Sequence, residues 1–200
     1  MKKVYFLQRA LAYLIDYLVI TVIGIIFGMF LISNSDDYTK AVNSIDELAH
    51  SYTQGEIDNK EYIRGYGNLA YEVEKDTAFL TIVELIVSIG YFGTFAYYNG
   101  GMTLGKKVMK IKVFTDCGEE LSHGKFILRA SFISFTYTKC LTLFAVLFIG
   151  KDSFYKVYLP LELFRMIFIV ATVIMVLKRK DTRGIHDLIV GSQVESCEKQ

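Results

Sequence analysis

Three cysteines, three histidines and one proline are few for 200 residues, and their scatter excludes several kinds of chemistry. Cys117, Cys140 and Cys197 form no spaced pair, so neither a disulfide framework nor a thiolate metal motif is legible. His50 and the acids around it lack the spacing of a calcium loop. GGMTLGKK lacks the Ser or Thr that a phosphate loop carries after its lysine, and no Ser-His-Asp constellation stands out. The chain therefore reads as a non-enzyme, with no metal and no cofactor.

What the chain does have is apolar residues, 52% of the total, gathered into blocks. Four blocks reach spanning length: Ala10 to Ile32, Ala78 to Tyr98, Phe126 to Ile149 and Leu159 to Leu177. Some 20 residues rising about 1.5 Å each cross a hydrocarbon core of roughly 30 Å. The first block follows Lys2 and Lys3 as a secretory signal would. Its core is too long for one, it contains Asp16, and SNSDD offers no small-x-small cleavage site, so a retained helix is expected. The expected fold is an all-α membrane protein forming one domain over residues 1–200. It has four transmembrane helices, a small basic cytoplasmic element and a helical extracytoplasmic segment.

A net charge of +1 hides a strong asymmetry between the connecting segments. Ser33 to Thr77 holds ten acids against four Lys or Arg, whereas Asn99 to Lys125 holds five lysines and three acids. Basic loops stay in the cytoplasm. Lys2, Lys3 and Arg9 precede the first span, and Lys178, Arg179, Lys180 and Arg183 follow the fourth, so both termini are expected inside. The outer segment, 33–77, reads as two helices separated at Gly55, with Asp58 capping the second. In the inner loop, 99–125, Val108, Met109, Ile111 and Val113 interleave with Lys106, Lys107, Lys110 and Lys112, approaching strand alternation before a DCGE turn. Each lysine near the inner leaflet gains on the order of 1 kcal/mol from anionic lipid, which explains them without a nucleic-acid partner. The remainder, 178–200, is a cytoplasmic tail.

Asp16 lies seven residues after Arg9, inside the first apolar run. Nearly two helical turns separate them, so both project from one face, with Asp16 about 10 Å deeper. An acid near the bilayer centre costs at least about 2.5 kcal/mol and normally faces protein or water and has a partner. Arg9 is the nearest candidate. Other charges fall within spans: Glu84 in the second, Lys139 near the middle of the third, and Glu162 and Arg165 in the fourth. Lys139 could join Glu84 or Asp16 in a fixed bridge or act as a proton-coupled switch, while Glu162 and Arg165 are near enough to the outer end to snorkel. Tyr91, Tyr97 and Tyr98 read as interface anchors.

Three segments, RALAYLIDYLVI (9–20), GGMTLGKKVMKIKVFTDCGEEL (100–121) and KDTRGIHDLIVGSQV (180–194), together resemble the RDD family of small bacterial membrane proteins, named for one arginine and two aspartates. Arg9 matches the family arginine, Asp16 the aspartate within the first helix, and Asp187 the second aspartate. Arg129, in KFILRA, resembles a frequent family arginine. The outer segment is long for the family, and SQV stands where a threonine-containing GTxV is more usual.

The resemblance implies a multi-pass protein of the bacterial inner membrane. The family has no settled activity, but cation/proton exchange has been suggested within it. The leading expectation is therefore small-solute or cation transport, with a monovalent cation or proton as cargo. Four helices leave little room for a solute path, so a transporter would form a homo-oligomer. The alternative is a non-enzymatic scaffold or assembly factor. Arg9, Asp16 and Asp187 either hold the first helix to the tail or include a carboxyl that changes protonation. Burial raises a carboxyl pKa and a nearby arginine lowers it, so both roles stay open. His186 beside Asp187 offers either a proton relay or a structural tail contact.

Overall fold

A computed structural model describes residues 4–31, 36–115, 119–179 and 181–197. Lys2, Lys3, Cys117 and Lys180, named above, lie outside the described residues. Helix α1 (Phe6–Leu31) exposes Leu14, Leu18, Val22, Ile25 and Ile26, and only 11% of its apolar window is buried within the protein. A helix apolar on nearly all sides has hydrocarbon as its solvent, because leaving such area in water costs about 25 cal/mol per Å². The same holds for the helix Ala78–Tyr98, made of α4 (Ala78–Ile89), a π-helical turn (Gly90–Phe95) and α5 (Ala96–Tyr98), and for α9 (Lys151–Lys178). These three are long and apolar enough to cross a membrane.

The third expected span is interrupted. It consists of α7 (His123–Ile133) and α8 (Thr136–Phe148), with a bend of 65° between them. The break has a local cause: Ser134 Oγ donates back to the Ala130 carbonyl at 2.8 Å, and Phe135 takes a left-handed conformation at φ 53°. α9 in turn starts eight residues before the apolar run at Leu159, so Pro160 lies inside a helix, at the loss of one backbone hydrogen bond. Fully buried Phe154 and its stacked neighbour Tyr158 explain the extension, since packing these aromatics rewards two further helical turns.

The acidic segment folds as α2 (Asp36–Thr53) and α3 (Asn59–Asp76), joined around Gly55. Asp58 accepts the Glu61 N–H at 2.7 Å and so satisfies one of the orphan donors of α3. The basic loop contains α6 (Leu104–Val108) and strand β1 (Ile111–Thr115). Its partner comes from the tail: β2 (Ser192–Ser196), which follows α10 (Ile185–Val190), pairs antiparallel with β1 and sets Val113 opposite Val194.

The described residues gather into two compact units. The first contains those of Met1–Gly24, Glu84–Thr136 and Met166–Gln200 and is cored by Val4, Ala12, Ala96, Ile111, Val113 and Phe126 among others. The second contains those of Ile25–Val83 and Tyr137–Arg165 around Ala70, Ala145, Val146 and Phe154. In the second, α3 lies so close to α9 that a Cβ on Gly67 would stand 2.2 Å from Tyr155 Cβ and 3.1 Å from its Cα. Gly67→Ala should therefore destabilise the protein by about 1–3 kcal/mol through overpacking. Gly124→Ala, in helix α7 with nothing within 4 Å, should be neutral or stabilising. Melting of the two variants in detergent tests this; equal melting temperatures would contradict the close approach.

Candidate functional site

Within the first unit, α1 turns Ala12 and Asp16 to one buried stripe, a single helical turn apart. Gly105 of α6 rests directly on it: a Cβ there would stand 2.0 Å from the Ala12 carbonyl oxygen and 2.9 Å from Asp16 Oδ1. Only glycine permits that approach. It delivers the Gly105 N–H to Asp16 Oδ1 at 2.7 Å, while Thr103 Oγ1 donates to Oδ2 at 2.5 Å. Tyr91 supplies a third donor, its hydroxyl 2.6 Å from Asp16 Oδ1 while accepting the Leu104 N–H at 3.1 Å. Tyr91 belongs to the π-helical turn, an irregularity frequent at functional sites. The Asp16 carboxylate is thus held by one amide and two hydroxyls, at 1% exposure.

Asp187, completely buried in the first turn of α10, organises the charges around it. Arg129 of α7 donates through Nε at 3.1 Å and Nη2 at 2.8 Å to Oδ1, and Arg9 of α1 donates through Nη2 to Oδ2. The Gly184 N–H at 3.2 Å completes Oδ2, and Ser192 Oγ lies 3.4 Å from Oδ1. The other Arg9 amino group donates to the carbonyl of Thr182, a β-branched residue in the uncommon left-handed region at φ 54°. Burial opposes ionisation of Asp187, but Arg129 and Arg9 overcome it and hold the carboxyl far below its ordinary range. His186 goes the other way. Burial, with Arg129 and Arg9 adding to it against the pull of Asp187, depresses its imidazole to about 3. Near neutral pH it is uncharged, with its Nε2 3.4 Å from Asp187 Oδ1.

One further cation enters this centre. Lys106, next to the Gly105 that touches Asp16, is 8% exposed. Burial lowers its ammonium to about 7, helped by Arg129 and Arg9 and opposed by Asp16 and Asp187. This side chain is therefore turned into the protein, contrary to the anchoring role expected of the loop lysines. Lys107 is exposed and donates to Asn99 Oδ1 at 2.9 Å, and Lys112 lies over the Phe114 ring, 3.9 Å from its centroid.

Of the residues singled out from the sequence, Arg9, Asp16, Arg129 and Asp187 share this one unit, yet Arg9 engages Asp187 while Asp16 takes neutral donors. Seven-residue spacing aligns Arg9 with Asp16 along α1 but does not bring the side chains into contact, because each finds a better-placed partner in the loop or tail. Tyr91, expected at the interface, instead turns to Asp16. Glu84 is half-buried in the first unit near Gly24, whose Cβ would lie 3.9 Å from its Oε1. Lys139 is half-buried in the second unit. Glu162 and Arg165 pair with one another on α9. Thr103, Gly105, Lys106 and Ser192 went unrecognised; nothing in their spacing sets them apart from an ordinary loop. Among the described residues, no group of three or more His, Cys, Asp or Glu side chains is placed to hold a metal ion.

Removing one member of a buried ion cluster leaves uncompensated charge, so Asp187→Asn should cost about 3–5 kcal/mol and lower the folded yield. Arg9→Lys should also destabilise, because a lysine cannot donate to Thr182 and Asp187 in a planar fork. The folded Asp187 carboxyl lies below its unfolded value of 3.8, so its contribution is fully present above that pH and is lost as the pH falls below it. Melting in detergent should therefore show an acid limb in the wild type that Asp187→Asn lacks. An identical limb in both would assign acid unfolding to other groups.

No curated protein sequence and no solved structure gives a significant match. The model of the RDD family, by contrast, matches residues 4–191, a stretch that runs from before Arg9 past Asp187 and takes in every side chain of the charge centre except Ser192. By that match over nearly its whole length, the chain belongs to the RDD family and is a multi-pass membrane protein.

Proposed function

We propose that this protein moves a small cation or solute across the membrane in exchange for protons. The observation that carries the reading is the convergence of Arg9, Asp16, Lys106, Arg129 and Asp187 in one buried cluster of a protein otherwise dressed for hydrocarbon. Burying ionisable groups in such a protein is expensive, and where it occurs it commonly marks an ion or proton path. In this reading Asp16 and Asp187 are a fixed frame and the cargo is a monovalent cation or proton. A chain with so few spans supports a homo-oligomer as the working form. The charge asymmetry of the segments supports a bacterial inner-membrane location with both termini, the basic loop and the tail in the cytoplasm, beside anionic lipid.

A second reading, a non-enzymatic scaffold or assembly factor, has its own observation in its favour. Both aspartates have their oxygens occupied by protein donors, as a purely architectural clamp requires. Neither reading is enzymatic.

Sealed vesicles containing the purified protein separate the two. Imposing a monovalent-cation gradient should drive proton movement, read by an internal pH dye, well above that of empty vesicles; flux at the empty-vesicle level would leave the scaffold reading. Topology is tested in a background with the native cysteines replaced. Glu56→Cys, in the exposed α2–α3 turn, should react with an impermeant thiol reagent in intact cells, and Lys107→Cys should react only after permeabilisation. The reverse pattern would invert the orientation.

A further inference from the structure

Every acid in the charge centre is already occupied. Asp16 Oδ1 accepts from Tyr91 and Gly105 and Oδ2 from Thr103; Asp187 Oδ1 accepts twice from Arg129, and Oδ2 accepts from Arg9 and Gly184. Both oxygens of Asp187 accept two hydrogen bonds each, so a proton arriving there would have to displace a donor. The arginines stay protonated at any relevant pH, and each is committed to an oxygen. Lys106 differs. It is more than nine-tenths buried, and no hydrogen bond or ion pair joins its ammonium to another described residue, although Arg9 and Asp16 of α1, Arg129 of α7 and Asp187 of α10 all act on it.

The geometry points to Lys106 as the proton-exchanging group of the charge centre, with Asp16 and Asp187 as its fixed electrostatic frame. Counting formal charges, three cations face two acids, an excess of +1 when Lys106 is protonated and none when it is neutral; His186 contributes no charge near neutral pH. Loss of the Lys106 proton therefore balances the cluster without breaking any of the hydrogen bonds that hold it. A compact ammonium on a flexible stem suits this, since lysine titrates readily when buried whereas arginine does not. The lowered pKa agrees with the geometry. As the proton carrier, Lys106 deepens the exchange reading and rests on it; its own protonation does not.

The decisive experiment follows protonation directly. Protein carrying 13C at the lysine ε-carbons, in detergent, is titrated by NMR, and the Lys106 resonance is identified by its absence in Lys106→Met. A midpoint near 7, against about 10.4 for an ordinary lysine, is expected; a midpoint above about 10 would overturn the proposal. Because Lys106 binds fewer protons folded than unfolded between about pH 7 and 10, wild-type melting should rise with pH across that window, and Lys106→Met should flatten the rise. In vesicles that carry flux, Lys106→Met and Lys106→Arg should both abolish its pH dependence per folded molecule, and retained dependence in both would also overturn the assignment. If wild-type vesicles carry no flux, the exchange reading fails, while the NMR midpoint still decides whether Lys106 exchanges a proton at neutral pH.

Discussion

A carboxylate at the junction of membrane helices must be neutralised by something fixed, and the first unit of this protein is built around that requirement. Asp187 lies completely buried between Arg9 and Arg129. These three side chains come from α10, α1 and α7, so one charge cluster ties the tail to two helices remote in sequence. The β1–β2 ribbon adds a second tie between the same tail and the inner loop. Net stabilisation from such a cluster is modest when it is compared with an apolar replacement, but the penalty for an incomplete cluster is large. The cluster therefore specifies one arrangement of helix ends more than it strengthens it.

Asp16 solves the same problem without a cation. A carboxylate accepting three short hydrogen bonds from an amide and two hydroxyls is satisfied in place, and the contact is possible only because residue 105 has no side chain. One consequence is that Arg9 is released to serve Asp187. The other is that α6 is pinned against α1, which carries the adjacent Lys106 into the interior. The lysine is thus placed by its glycine neighbour.

Much of this was legible before the structure, and the remainder was hidden for identifiable reasons. Continuous apolar runs marked the membrane helices, and the S-D-D to E-K-D stretch showed its two helices through a break at Gly55 and a capping Asp58, because each signal is local. The strand alternation of Ile111 and Val113 was also visible, but its partner Ser192–Ser196 was not, since pairing across some eighty residues leaves no mark in a single sequence. The bend at Phe135 escaped notice because a non-glycine residue in the left-handed region has no compositional signature. Arg9, Asp16, Arg129 and Asp187 stood out as charges in apolar surroundings or by family resemblance. Lys106 did not, because in a run with Lys107, Lys110 and Lys112 a buried lysine looks like an exposed one.

The claim on which the account depends is that Asp187 and its arginines act as a single unit. A double-mutant cycle in detergent measures this directly, comparing the melting of Arg129→Met, Asp187→Asn and the double variant with wild type. Strong coupling is predicted: the double variant should be far less destabilised than the sum of the two single variants, because Arg129 then no longer faces a missing acid and only Arg9, still bonded to the Thr182 carbonyl, has lost its carboxylate. Additive losses would contradict it, and would mean that the two side chains stabilise the protein independently.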